Sequence, residues 1–363
     1  MRVSVATPID MNNFGNRLQN YAVNEICRKM EMQSITIDYP KMYYGVKINT
    51  VIRLFRPIVK IPGITHIKLM NKLKKLVCGY EFTRKYIPCF ESTNRKKILK
   101  KIDTCQLFGI GGDQIWSDYW ARQIWYCGYE NQSCEKKICF APSFGKERFS
   151  SEEKCEIKKV VLKIAHPAVR EISGVELFRE LTGNTAIQIV DPVLMISKEE
   201  WLKITSAKVT PKEKYILLYF LGNDEQQKEQ ARKIAEKNNW KLINVLDIND
   251  SKHYGIGPAE FIDLINNAQI VFTDSYHGIL MSMIMDTPFV ICQRKMNNQV
   301  SDMNTRIDTL IKLFNIDKAL YENVNFSDLS NIYSMKEKYS SLIEKRVERA
   351  WEYYNGFIER ARI

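Results

Sequence analysis

The 363-residue sequence has no apolar run of about 18 residues, so it offers no helix able to cross a bilayer. Its opening, MRVSVATPID, lacks the charged start, apolar stretch and small-residue cleavage site of a signal peptide and goes straight into a β-like alternation. A cytoplasmic protein is therefore expected. The nine cysteines are odd in number and scattered, which excludes a disulfide framework. Cys127, Cys134, Cys139 and Cys155 lie nearest together, but their gaps match no zinc or iron–sulfur spacing. Reduced thiols are expected, with no metal and no resident cofactor. The opening of the first helical stretch, Gly15-Asn-Arg-Leu-Gln19, has neither the G-x-G-x-x-G of a dinucleotide fold nor a P-loop, so nicotinamide and ATP chemistry lose support.

Acidic residues are almost missing from one stretch. Between Lys41 and Lys101 stand sixteen Lys and Arg against Glu81 and Glu91, a local excess of +14, while the whole chain carries +12. The rest of the chain is thus slightly acidic, and the asymmetry points to an anionic surface or ligand. Apolar residues from Val51 to Leu76 alternate with Arg53, Arg56, Lys60, Lys68, Lys72, Lys74 and Lys75. That pattern suits short amphipathic helices broken near Pro57 and Pro62, docked on an anionic membrane or packed on the first domain with solvated lysines. No nucleic-acid partner is expected.

What is present reads as α/β. Arg2–Thr7, Ser34–Tyr39, Gln106–Ile110 and Lys137–Ala141 are short apolar runs, and the helical pattern Gly15–Met30 follows the first. Helices near Ser151–Lys163 and Ser173–Leu181 alternate with a strand ending at Arg170 and another at Ala186–Val190. Tyr215–Leu221 is continuous enough to be buried on both faces, and the style then repeats through Lys241–Leu246, Pro258–Asn267, Ile270–Thr273, Gly278–Met285 and Pro288–Cys292. Two Rossmann-like domains follow, 1–195 with a basic helical insert at 41–101 and 196–334, then a C-terminal helix at 335–363. Ligands in such folds sit at the carboxyl ends of strands, which makes the cleft between the domains the expected site.

Three motifs stand at such ends. Thr273-Asp-Ser-Tyr-His-Gly278 leaves a strand and enters a helix, so His277 sits where unpaired N–H groups favour an anion. Asp274 and Ser275 would cap the helix or touch a ligand; the plainer reading is a cap and a packed histidine. Arg170 can hold a phosphate or carboxylate through two parallel hydrogen bonds, or pair with Glu171. In Gly111-Gly-Asp-Gln-Ile-Trp116, Asp113 and Gln114 would meet sugar hydroxyls. Arg294 and Lys295 follow the Pro288–Cys292 strand, and Asn304 and Arg306 come a little later; each read alone is a surface charge or polar group.

Gly15-Asn-Arg-Leu-Gln-Asn-Tyr-Ala22, Gly112-Asp-Gln-Ile-Trp116, Ser143-Phe-Gly145, Val169-Arg-Glu171, Ser173-Gly174, Asp191-Pro192, Thr273–Gly278 and Asn304-Thr-Arg-Ile-Asp308 stand in the order found in the polysaccharide pyruvyl transferases, which the chain resembles over about residues 1–310. The resemblance implies a two-domain fold like that of the GT-B glycosyltransferases and phosphoenolpyruvate as donor. It further implies a catalytic His277 with Arg170, and Lys295 near the donor. Asn16, Arg17, Ser143, Ser275, Asn304 and Arg306, within or beside these motifs, join Asp113 and Gln114 as substrate-binding candidates. Many family members carry Arg two residues before the histidine, where this chain has Ser275, so that donor contact falls to other residues. The implied acceptor is a sugar or lipid-linked oligosaccharide of a cell-surface polysaccharide, reached from the cytoplasm or the inner membrane face. Two rivals share the scaffold: a nucleotide-sugar glycosyltransferase with Glu260 or Asp263 on the ribose, and a non-enzymatic membrane-surface adaptor.

Overall fold

The computed structural model describes residues 1–38, 66–117, 132–146, 148–296, 299–300 and 305–361. Pro57, Pro62, Cys127 and Asn304, all singled out above, lie outside the described residues.

The first half is built on a five-stranded parallel sheet. In chain order it runs β1 (Arg2–Ala6), α1 (Phe14–Lys29), β2 (Gln33–Asp38), α2 (His66–Tyr86), β3 (Cys89–Glu91), α3 (Arg95–Asp103), β4 (Leu107–Gly111) and β5 (Lys137–Phe140). The strands lie in the order β3-β2-β1-β4-β5, with Val3 facing Ser34 on one side and Leu107 on the other. After α4 (Ser151–Val161), the short pair β6 (Ala168–Val169) and β7 (Ile187–Gln188) flanks α5 (Ile172–Thr182). The second half comprises α6 (Lys198–Leu202), β8 (Tyr215–Tyr219), α7 (Glu225–Lys237), β9 (Lys241–Asn244), α8 (Pro258–Asn267), β10 (Ile270–Thr273), α9 (Tyr276–Met285) and β11 (Phe289–Ile291). Its parallel sheet has the order β11-β10-β8-β9. Every residue of β8 and β10 is buried, as central strands covered by helices on both faces require.

Local chemistry sets the helix ends. Asn13 caps α1 through the Asn16 N–H, and Arg28 and Lys29 close its last turn, where cations suit the helix dipole. Ser150 with Glu153, and Ser197 with Glu200, form capping boxes at α4 and α6. Beyond α10 (Thr305–Phe314) and α11 (Ser330–Tyr333), the long α12 (Lys336–Ala361) returns to the first half. There the Tyr353 hydroxyl donates to His166 O and accepts from the Cys139 N–H of β5. Arg346 of the same helix donates to Leu313 O in the second half and to Gln188 in the first. No helix among the described residues is long and apolar enough to cross a membrane.

The basic stretch departs from the pattern read in the sequence. His66–Tyr86 is one helix of 21 residues, and it packs on both halves rather than on the first alone. Asn71 donates to Ile248 O and Ser251, and Cys78 to Gly255 O, all in the second half. On the other side, Arg17 of α1 donates to Thr83. Gly79 lets α2 lie close against the loop before α1, because a Cβ there would run into the Met11 carbonyl oxygen. Gly79→Ala should therefore destabilise the protein by about 1–3 kcal/mol through overpacking, although alanine is the better helix former. Denaturant unfolding checks this; an unchanged or raised midpoint refutes the close fit.

Candidate active site

The loops leaving β1, β4, β5, β8, β10 and β11 converge between the two sheets, at the carboxyl ends where open parallel sheets bind ligands. The centre is Arg170, just after β6 and 1% exposed. It donates to three carboxylates: Asp113 at 2.5 Å, Asp191 at 2.7 Å and Glu171 at 3.2 Å. Its guanidinium also lies 4.5 Å from the ring centre of Tyr276 in the second half. Asp113, from the loop after β4, accepts a further bond from Arg306 at the start of α10. One carboxylate of the first half thus holds an arginine from each half.

These pairings set the charges. Burial alone would raise the Asp113 pKa, but Arg306 and Arg170 outweigh it and hold the carboxyl far below the usual range. Asp191 is buried too, and the His277 imidazole and Arg170 keep it below its ordinary value. Asp274 goes the other way: burial raises it, against the pull of Arg294 and of the Leu221 and Gly222 N–H groups that its carboxylate accepts. Arg294 is 7% exposed, donates to Asp274 O at 3.0 Å, and has its pKa lowered by burial, with Arg306 adding a like charge.

His277 stands in the first turn of α9, whose N-cap is Ser275, bonded to the Gly278 N–H. The ring is 4% exposed, its Nε2 lies 3.7 Å from Asp191 and, among the described residues, it makes no hydrogen bond through that nitrogen. That separation exceeds a hydrogen bond, so the carboxylate acts on the imidazole by charge alone. The other face of the ring meets α1: a Cβ on Gly15 would come within 2.3 Å of Nδ1. A residue able to exchange protons is thus clamped between the halves, with one nitrogen uncommitted.

The sequence candidates separate into two groups. Arg170, Asp113, Arg306, His277 and Ser275 come together, and Gln114 borders them, with its amide making no hydrogen bond among the described residues. The other group is engaged locally. Asn16 accepts from Asp10 N–H and donates to Pro8 O, while the fully buried Arg17 donates to Asn16, Pro8 O and Thr83. Both shape the β1–α1 loop. Ser143 donates to Glu171 and accepts from the Gly145 N–H, and Lys295 pairs with Asp224 at 2.7 Å. The Arg170–Glu171 pair offered by the sequence is present, whereas Asp191, inside a motif, and Tyr276, beside His277, carry no role in the sequence reading.

A sequence profile of the polysaccharide pyruvyl transferases matches residues 13–295, most of the chain and nearly all of this site. The chain belongs to that family. Among curated proteins none matches the sequence. Solved structures align with this family member over most of its length. A protein from Listeria monocytogenes described as a UDP-N-acetylglucosamine 2-epimerase aligns with a TM-score of 0.50 at 12% identity, covering 99% of this chain and 97% of its own. A glycosyltransferase from Streptomyces sp. SF2575 aligns with a TM-score of 0.41 at 11% identity, covering 97% and 99%. The fold is of the GT-B kind, α/β with two parallel sheets and a long C-terminal helix.

Two outcomes test the site. In Gly15→Ala the new methyl must displace the His277 ring, shifting its NMR resonances while the unfolding midpoint stays within a few degrees; unmoved resonances refute the contact. For Asp113, whose folded pKa is depressed, the stabilising contribution is present above about pH 4 and lost as pH falls through the folded value. Asp113→Asn should cost about 3–5 kcal/mol at neutral pH, because it leaves Arg306 and Arg170 short of a buried partner. The gap from wild type should close in acid; a constant gap across the pH series would contradict the charge assignment.

Proposed function

We propose that this transferase moves the enolpyruvyl group of phosphoenolpyruvate onto two hydroxyls of a sugar, closing a cyclic ketal and releasing phosphate. The observation that carries the reading is His277, buried between the halves with no hydrogen bond at Nε2 among the described residues, together with two buried arginines, Arg306 on Asp113 and Arg294 on the Asp274 carbonyl. The reaction needs these parts. Protonating C3 of the donor leaves a cation-like C2, which one sugar hydroxyl attacks while giving up its proton. The C2–O bond to phosphate then breaks, and the second hydroxyl closes the ring, again losing a proton. His277 exchanges the protons. Arg294 and Arg306 hold the donor's carboxylate and phosphate, taking the contact that Ser275 cannot make. Arg170, bonded to three acids, acts as the positioning residue that fixes Asp113 and Asp191 around the imidazole. Gln114 is the side chain best placed for acceptor hydroxyls.

The nucleotide-sugar reading is weaker on a specific ground. Glu260 accepts from the Gly257 N–H at 3.1 Å as part of the start of α8, and Asp263 accepts from Thr210. Both carboxylates offered for a ribose are engaged in local structure. We further propose that α2 rests on an anionic membrane surface where lipid-linked acceptors are held. Its support is the exposure of Ile67, Met70 and Val77 on the helix that carries Lys68, Lys72 and Lys74.

His277→Ala should fold and lose turnover by about 10²–10⁴-fold, the range for a lost general acid or base. In parallel, phosphoenolpyruvate should raise the melting temperature of the wild type, by about 2.7 kcal/mol of added stability at one hundred times its Kd, and nucleotide sugars should not. Wild-type rates in the mutant sink the role of His277, and a shift with nucleotide sugars alone reverses the choice of donor. Vesicle sedimentation tests the surface: binding should require anionic lipid, weaken with salt and fall when Lys68, Lys72 and Lys74 become Gln.

A further inference from the structure

One lysine of the basic stretch does not face solvent. Lys75 of α2 is 6% exposed, whereas its neighbour Lys74 is on the surface. Its Nζ lies 4.6 Å from the ring centre of Phe14 and 5.2 Å from that of Tyr254. Phe14 opens α1, after the loop that leaves β1, and Tyr254 lies in the segment joining β9 to α8. Both therefore stand at the carboxyl ends of their sheets, in the same cleft as His277. The next residue after Phe14 is Gly15, pressed against the His277 ring. The first turn of α1 thus meets the imidazole at Gly15 and the ammonium at Phe14.

Two aromatic faces partly compensate a buried charge, but an ammonium has three N–H donors and rings accept them poorly. Among the described residues Lys75 makes no hydrogen bond and no ion pair. The groups around it are few. Asp10, in the β1–α1 loop, is the acid whose charge acts on it; Phe14 brings none; and the Tyr254 hydroxyl, its pKa raised by burial, stays neutral. Burial pushes the Lys75 amine down to about 8, against the pull of Asp10. At neutral pH this is a charged, largely desolvated donor set in the cleft without an acceptor.

We propose that Lys75 is a substrate-binding residue, donating to a phosphate or carboxylate oxygen of a molecule bound in the cleft at the first turn of α1. An oxyanion supplies both the acceptors and the countercharge that the two rings cannot. Its source is either the donor or a phosphate of the acceptor's linker, and only the first of these rests on the pyruvyl-transfer reading. A purely structural role, clamping Phe14 to Tyr254, is the competing account.

The test measures binding of phosphoenolpyruvate and of inorganic pyrophosphate to the full chain as wild type, Lys75→Met and Lys75→Arg. Titrations run from about pH 7 to about pH 9.5 at constant ionic strength, where the donor's phosphate is already doubly charged. For at least one anion, wild-type affinity should fall about tenfold per pH unit above about pH 8, since only the protonated amine binds. Lys75→Met should bind that anion at least about tenfold more weakly at pH 7, with no such fall. Lys75→Arg, which keeps its charge throughout, should bind without the fall at high pH. Loss for phosphoenolpyruvate places the donor at Lys75; loss for pyrophosphate alone places an acceptor phosphate there. If the wild type binds phosphoenolpyruvate and Lys75→Met binds both anions equally well, the inference fails and the donor reading stands. If pyrophosphate binds through Lys75 while phosphoenolpyruvate does not bind at all, the donor reading fails and the inference stands. Wild type that binds neither anion overturns both. Should Lys75→Met not fold, the wild-type pH profile and its loss in Lys75→Arg decide alone.

Discussion

Arg170 brings one positive charge to a place where Asp113, Glu171 and Asp191 all reach it, and the arrangement of the cleft follows from that. Taking such ions out of water is expensive, and mutual attraction offsets the loss only where geometry is close and other polar atoms are satisfied. Three acids around one arginine would leave excess negative charge. Arg306 reduces it from the other half by sharing Asp113, and His277 lies at charge–charge range of Asp191. The two halves are therefore joined through charges that neither balances alone.

The sheets make this convergence possible. Parallel strands end together, so the turns after β1, β4 and β5 face those after β8, β10 and β11. The long return of α12, with Tyr353 on β5 and Arg346 touching both halves, keeps the two sets of turns opposed. Helix α2 does the same from the other side. Rigid elements rather than free loops thus hold the distances among the charged side chains of the cleft.

Most of the secondary structure was legible because it is written in local patterns. The unbroken apolar run at Tyr215–Tyr219 and the polar-to-apolar change at Tyr276–Met285 need no partner to be recognised. The three-residue β3 was not, since Cys89–Glu91 is too short for a period and exists only because it pairs with Thr36–Asp38. At the site, the residues of the hub were visible as types, but beyond Arg170 with Glu171 their pairing was not. Arg170 meets Asp113 from 57 positions away, and Arg306 reaches the same carboxylate from 193. Nothing in the spacing of Asn16, Arg17, Ser143 and Lys295 distinguishes a residue that lines the cleft from one engaged in local structure. Only the fold settles it.

The first turn of α1 shows how little sequence such a boundary requires. Asn13 caps the helix, which frees the backbone to start there. Phe14 points toward Tyr219 and Phe261 of the second half, its ring 5.8 Å and 4.5 Å from theirs, and takes Lys75 on its face. Gly15 has no side chain, and that lets His277 lie flush against the helix. Asn16 and Arg17 then fix the preceding loop by hydrogen bonds. Five consecutive residues do four different jobs. A larger residue at 15 would displace the imidazole, and a smaller one at 14 would open the aromatic wall beneath Lys75. The motif Gly15-Asn-Arg is thus better understood as the frame of the site than as its chemistry.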